Sequence, residues 1–178
     1  MKRLICIAAL SAFAALAEDK PPPQGPPQPP EEMKVEKWFV GTWTCTGQRH
    51  AGPMGPEGKT ATKLKMKLDL MGFWLEIEGT ALAGPMKGKE VFEAFASWDG
   101  TQHRRYGFQA GGMMLYTTKG WDGDKLVFDG EGMVMGQKLA MKHTITKKGD
   151  NAFDSAFESA GKPVQEESCT RAAAAAKK

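Results

Sequence analysis

The sequence predicts an all-β fold, a single antiparallel up-and-down barrel of about eight to ten strands, and three observations carry that reading. Apolar and polar residues alternate, most clearly in Leu64-Lys65-Met66-Lys67-Leu68-Asp69-Leu70 and again in Leu75-Glu76-Ile77-Glu78, the period of half-buried antiparallel strands. Glycines punctuate the chain every 8 to 14 residues, which suits short strands joined by turns. Cys45 and Cys169 fall in the first and last strand candidates, where a bridge between them would staple a closed sheet end to end.

The chain opens with residues 1–17, in which Lys2 and Arg3 precede an apolar run from Leu4 to Ala15 and the small residues Ala15 and Ala17 precede Glu18. This is the pattern of a secretory signal peptide, too short to span a bilayer as a helix of roughly 20 residues. Cys6 lies too early for a lipid-modified cysteine, so the expectation is a freely released protein, periplasmic or secreted, without an integral membrane segment after cleavage. Two of the 24 basic residues leave with the signal peptide, so 22 face 21 acidic ones. Charges of both signs are interspersed along the remaining chain, and a basic face for nucleic acid loses its support.

Residues 18–33, dominated by Pro21-Pro22-Pro23-Gln24-Gly25-Pro26-Pro27-Gln28-Pro29-Pro30, read as a solvated, disordered polyproline-type linker, with a docking ligand for an aromatic-lined groove as the alternative. Residues 34–171 form the barrel domain, and the alanine and lysine run 172–178 is too short to hold a helix alone. Strand candidates in order are Trp38 to Arg49, the two alternating segments above, Glu90 to Trp98, His103 to Gln109, Met113 to Gly120, Lys125 to Met135, Lys138 to Lys147, Phe153 to Ser159 and Val164 to Thr170. No amphipathic helix is expected.

With Cys6 removed, Cys45 and Cys169 remain in a chain sent to an oxidising compartment, and pairing is expected. Two separate buried thiols are the alternative. On the chain-entropy model a loop of this size contributes roughly 4 to 5 kcal/mol. If Cys45 lies opposite Cys169 on antiparallel strands, Trp43 falls opposite Arg171, because such pairing keeps the sum of positions constant. A cation across the indole face would seal that end of the barrel, although Arg171 could equally be a solvated tail residue.

Gly41-Thr42-Trp43, the strand periodicity and the late Arg171 resemble the calycin superfamily of lipocalins and fatty-acid-binding proteins. Phe39-Val40-Gly41-Thr42-Trp43-Thr44-Cys45-Thr46-Gly47, Met71-Gly72-Phe73-Trp74-Leu75-Glu76 and Phe95-Ala96-Ser97-Trp98-Asp99-Gly100 resemble, more narrowly, the bacterial domain of unknown function 1579, over about Lys34 to Thr170. The resemblance implies the barrel and is nearly silent on activity. The Arg-x-Tyr that grips a carboxylate near the last strand of fatty-acid-binding proteins is absent here, since alanines follow Arg171.

A two-residue turn at Gly136-Gln137 would pair Met135 with Lys138, Gly132 with Met141 and Gly130 with His143. One face then reads Leu126, Phe128, Gly130, Gly132, Val134, Leu139, Met141, His143 and Ile145 and should line the interior, the two glycines leaving room for a ligand. His143 is the one polar group expected inside, where it would orient a ligand, coordinate haem iron as in haem-binding calycin-like proteins, or sit as an ordinary hydrogen-bonded core histidine. His50 and His103 sit in polar surroundings, so no histidine pair has zinc-ligand spacing. Eleven methionines invite Cu(I), but the alternation puts Met133 and Met135 on one face and Met141 and His143 on the other. No metal or cofactor is therefore expected.

Gly52-Pro53-Met54 and Gly84-Pro85-Met86 mark loops at one end of a meander, framing a cavity mouth or serving as plain turns. Arg104-Arg105 with Tyr106 could place a cation near an acidic ligand, and alternation makes at least one of the two arginines a surface residue. No nucleophile elbow, phosphate loop, His-Glu-x-x-His or dinucleotide fingerprint is present, and Asp129 and Glu131 fall on the outer face, so an enzyme is not expected. What remains is an exported binder of a small hydrophobic molecule, or a ligandless structural or interaction domain of the cell envelope. Oligomeric state and ligand identity are not legible.

Overall fold

The alternating segments become a closed sheet in the computed structural model, which describes residues 25–52 and 55–173. The expected signal peptide, the first part of the proline-rich segment, Pro53-Met54 and the last five residues lie outside the described residues. The strands are β1 (Gly41–Arg49), β2 (Gly58–Asp69), β3 (Trp74–Ala81), β4 (Glu90–Trp98), β5 (His103–Gln109), β6 (Gly112–Thr118), β7 (Trp121–Asp122), β8 (Lys125–Val134), β9 (Gln137–Lys147), β10 (Ala152–Ser159) and β11 (Lys162–Arg171). Each pairs antiparallel with its sequence neighbour, β1 pairs with β11, and β6 pairs with β8 past the two-residue β7, so ten strands close a barrel. Among the described residues no helix is long and apolar enough to cross a membrane.

The seam between first and last strands has the register that the cysteines implied. Cys45 faces Cys169 and Trp43 faces Arg171. The cysteines are bonded across a sequence separation of 124 residues, and the Arg171 guanidinium lies 4.1 Å from the centre of the buried Trp43 ring. Arg171 also donates to the carbonyls of Val40 and Trp38, the latter at 2.8 Å, which ties the last strand to the chain entering the first. Gly41 sits there at φ 137°, and any Cβ on it would lie 2.9 Å from the arginine Nη1.

A short helical segment was not expected from the sequence. A 3-10 turn over Glu31–Met33 runs into α1 (Lys34–Lys37), with Glu31 and Glu32 in the first turn, where carboxylates favour the helix dipole. Met33, at the end of the expected linker, is only 1 % exposed, so ordered packing begins ahead of residue 34. The segment leads Trp38 and Phe39 over one end of the barrel. Trp38, Phe39, Trp43, Trp121 and Phe153 contact one another there, ring centroids 4.9–6.1 Å apart. Trp43 Nε1 donates to the Phe39 carbonyl at 2.7 Å, whereas the buried Nε1 of Trp121 has no hydrogen-bond partner.

The β8–β9 hairpin corrects one expectation and keeps another. Its turn is Met135-Gly136, not Gly136-Gln137, with φ 48° and 80° at the two positions, the left-handed pair of a type I′ turn. The register therefore slips by two: Gly132 faces Leu139, Gly130 faces Met141, and His143 faces Phe128. A slip of two preserves the faces. Leu126, Phe128, Val134, Met141, His143 and Ile145 are buried and Leu139 is half-buried, while Val127, Asp129, Glu131 and Met133 are exposed.

Candidate functional site

The interior divides by what covers it. At the end where β1 begins, the aromatic plug closes the barrel and the inward side chains Trp43, Leu75, Ala96 and Leu126 are fully buried. Among the described residues the opposite end carries turns and loops, including Gly84-Pro85-Met86; Pro53-Met54 of the other Gly-Pro-Met loop lie outside the described residues. Toward that end the inward side chains are unevenly covered. Val134 and Val164 are buried, whereas Phe92, Leu139, Phe157 and Glu167 are half-buried.

The glycines of this uncapped half do not leave empty room, contrary to expectation. A Cβ on Gly132 would lie 3.3 Å from Cγ of both Met114 and Met141, and one on Gly107 would meet Phe92 at 3.1 Å and Met114 at 3.4 Å. Side chains lie over these glycines, two of them unbranched thioethers that repack at low cost. Gly130 has another role: a Cβ there would lie 2.0 Å from the Leu115 carbonyl oxygen, so it permits the close approach of β6 and β8 that shuts the barrel. Two open surface depressions are lined by Thr46, Gly47 and Gln48, one of them also by Ser155 and Glu167.

Between the halves sits a polar centre larger than the lone histidine the sequence suggested. His143 is 6 % exposed and Arg105 is 5 % exposed. Alternation on β5 turns Arg104 outward, to pair with Asp99, and Arg105 inward, where its guanidinium stacks 4.0 Å over Phe128. Arg105 Nη1 lies 3.4 Å from His143 Nδ1, and His143 Nε2 lies 2.9 Å from Ser155 Oγ. Because a guanidinium only donates, Nδ1 carries the lone pair and the ring proton sits on Nε2, which donates to Ser155. Burial, and then the charge of Arg105, hold the imidazole pKa well below its ordinary value, so the ring is neutral. In this tautomer His143 cannot take a proton from Ser155, and the pair does not form an activated nucleophile.

Haem ligation does not fit this arrangement. Both ring nitrogens are engaged, and the ring is flanked by Phe157, stacked at 3.8 Å between centroids and 11°, and by Phe128 at 5.9 Å and 20°. The methionines do not converge with it either, since Met133 and Met135 are exposed and Met141 points inward. His103, placed in polar surroundings by the sequence, is instead 2 % exposed, beneath the fully buried Glu36 of α1 with Nδ1 to Oε1 at 3.2 Å. Tyr116, Ser155 and Phe157 had no sequence signal as a group. They come from two strands, β6 and β10, whose cross-barrel approach is set by closure.

No family model matches the chain, and no curated protein matches it. Rv2717c from M. tuberculosis superposes with a TM-score of 0.58 at 9% identity, covering 82% of this chain and 100% of that one. The two share the fold of a closed antiparallel β-barrel. A mutant of the fluorescent protein UnaG (TM-score 0.46, 15% identity, 78% of this chain and 99% of that one) and a redesigned β-barrel (0.44, 9%, 78% and 96%) are more distant. At these identities the likeness extends to the fold alone.

Proposed function

We propose that the protein is an exported, non-enzymatic binder of a small hydrophobic molecule, held in the uncapped half of the barrel, and that it belongs with the domain of unknown function 1579 that its motifs resemble. The observation carrying this reading is the set of inward glycines covered by Met114, Met141 and Phe92 beneath an end that, among the described residues, no helix closes. A barrel of about eight strands is just filled by its own side chains, and the interior widens with strand number. Ten strands with glycine at Gly107 and Gly132 hold interior space filled by side chains that can swing aside. The disulfide suits an oxidising compartment.

The test is titration of the purified mature protein with Nile red, an uncharged environment-sensitive dye, alongside native mass spectrometry for a co-purifying apolar molecule. Saturable binding that is lost on replacing Met141 and Gly132 with bulkier apolar residues is expected. Absence of both dye binding and any co-purifying mass would leave the second reading, an interaction domain. That reading rests on Phe108, Met113 and Met133, exposed side chains at paired positions on β5, β6 and β8.

A further inference from the structure

We propose that the polar centre is an anion site, and that the molecule bound in the barrel carries a single negatively charged oxygen-acid group held by Arg105, Tyr116 and Ser155. This rests on the binder reading and adds the chemistry of the ligand's polar end.

Arg105 is a permanent charge inside the barrel, and among the described residues no carboxylate lies within ion-pair distance of it. Burial pushes the Arg105 pKa down, and the charge of Glu36 only partly opposes this, since the close contact of Glu36 is with His103; Arg105 Nε has no hydrogen-bond partner. A buried donor of this kind carries a desolvation cost that a fitting acceptor would offset.

The neighbouring groups are donors too. Tyr116, directly across from Arg105 on β6, is buried, and burial pushes its pKa up to about 12, so it stays protonated. Its hydroxyl meets only the Met114 sulfur at 3.4 Å, a weak acceptor. Ser155 already accepts from His143 Nε2, which leaves its own O–H to give. His143 accepts from Arg105 and donates to Ser155, so it fixes both donors without adding charge. The result is one positive charge and two hydroxyl donors at the boundary between the packed half and the glycine half. Its complement is an anionic head with an apolar body running past Met114 and Met141 toward the uncapped end. One guanidinium balances one negative charge, which favours a monoanion.

The experiment compares a dansylated long-chain carboxylic acid with its methyl ester at neutral pH, on the mature protein and on Arg105→Gln. Wild type should bind the acid roughly tenfold or more tighter than the ester, the scale of a charge-assisted hydrogen bond. Arg105→Gln should remove the preference, so that acid and ester bind that variant with equal affinity. Should that variant not fold, Tyr116→Phe and Ser155→Ala should each reduce the preference several-fold. In the wild type alone, acidifying through the titration of the ligand's own carboxyl should erase the preference. Equal affinities for acid and ester, or a preference that survives Arg105→Gln, overturn the anion site while the binder reading stands. Failure of acid, ester and Nile red alike overturns both.

Discussion

The two ends of the barrel are built from different chemistry. The capped end holds rigid groups: five aromatic rings, a disulfide one alternation from Trp43, and an arginine fixed by backbone carbonyls. The uncapped half holds glycines, methionines and half-buried Phe92, Leu139 and Phe157. Stability should therefore concentrate at the first and adaptability at the second, because truncating a rigid buried ring leaves a cavity whereas flexible chains reflow.

The comparison predicts its largest effect at the staple. Cys45→Ser should remove roughly 4 to 5 kcal/mol of unfolding free energy, the chain-entropy value for a loop of this length, read as a large drop in melting temperature. Thiol titration of the unfolded, unreduced mature protein should find none free. Two titratable thiols would transfer the stability of that end to packing alone. Next is Trp43→Ala, expected to cost about 3 to 5 kcal/mol, since the ring is fully buried, bonded to the Phe39 carbonyl and capped by Arg171. Chemical denaturation measures it, and a near-neutral outcome would mean that the plug does not close the barrel.

The capped end is also the part most legible in the sequence. One covalent constraint fixed the Cys45 register, and Trp43 opposite Arg171 followed by counting. The inward face of β8 and β9 was legible for a related reason, since a period of two survives a register slip of two. The turn itself was not, because Met135 occupies a left-handed position that normally advertises itself through glycine, asparagine or aspartate. Seven residues of helical backbone over 31–37 are too few to show a helical period, so the burial of Met33 and Glu36 was invisible. On β5, Tyr106 and Phe108 alternate outward while His103 and Arg105 alternate inward. Apolar residues on the outer face hid which arginine enters the barrel. His143 could be read as an interior group, but its partners could not, because they meet across the barrel rather than along the chain.

The polar centre between the ends gives a smaller, pH-dependent effect whose sign follows from His143. Its folded pKa lies well below the ordinary value of 6.5, so as pH falls through that value the unfolded chain gains a proton that the folded chain refuses. Stability due to this residue should be unaffected above about pH 7.5 and should fall below about pH 6.5, by at most about 1.4 kcal/mol per pH unit. The difference between wild type and His143→Gln across that range isolates the contribution from other titrating groups. A difference independent of pH would place the ring in a wetter setting than its stacking against Phe157 describes.

The finest test of the two-ended design uses two glycines two residues apart on β8. Gly130→Ala puts a methyl group 2.0 Å from the Leu115 carbonyl oxygen, on backbone that cannot move without opening the β6–β8 seam, and should cost about 1 to 3 kcal/mol or more. Gly132→Ala meets the Cγ atoms of Met114 and Met141 at 3.3 Å, each of which can rotate away, and the Met113 carbonyl oxygen at 3.6 Å, an ordinary van der Waals contact. Its loss of contact space is offset by the gain of replacing glycine within a strand, so stability should change by less than about 1 kcal/mol in either direction. The same methyl group occupies the space where a ligand body would lie, and Nile red affinity should fall while the melting temperature holds. Equal destabilisation by the two alanines would show that the uncapped half is packed as rigidly as the capped one, and that its methionines are ordinary core.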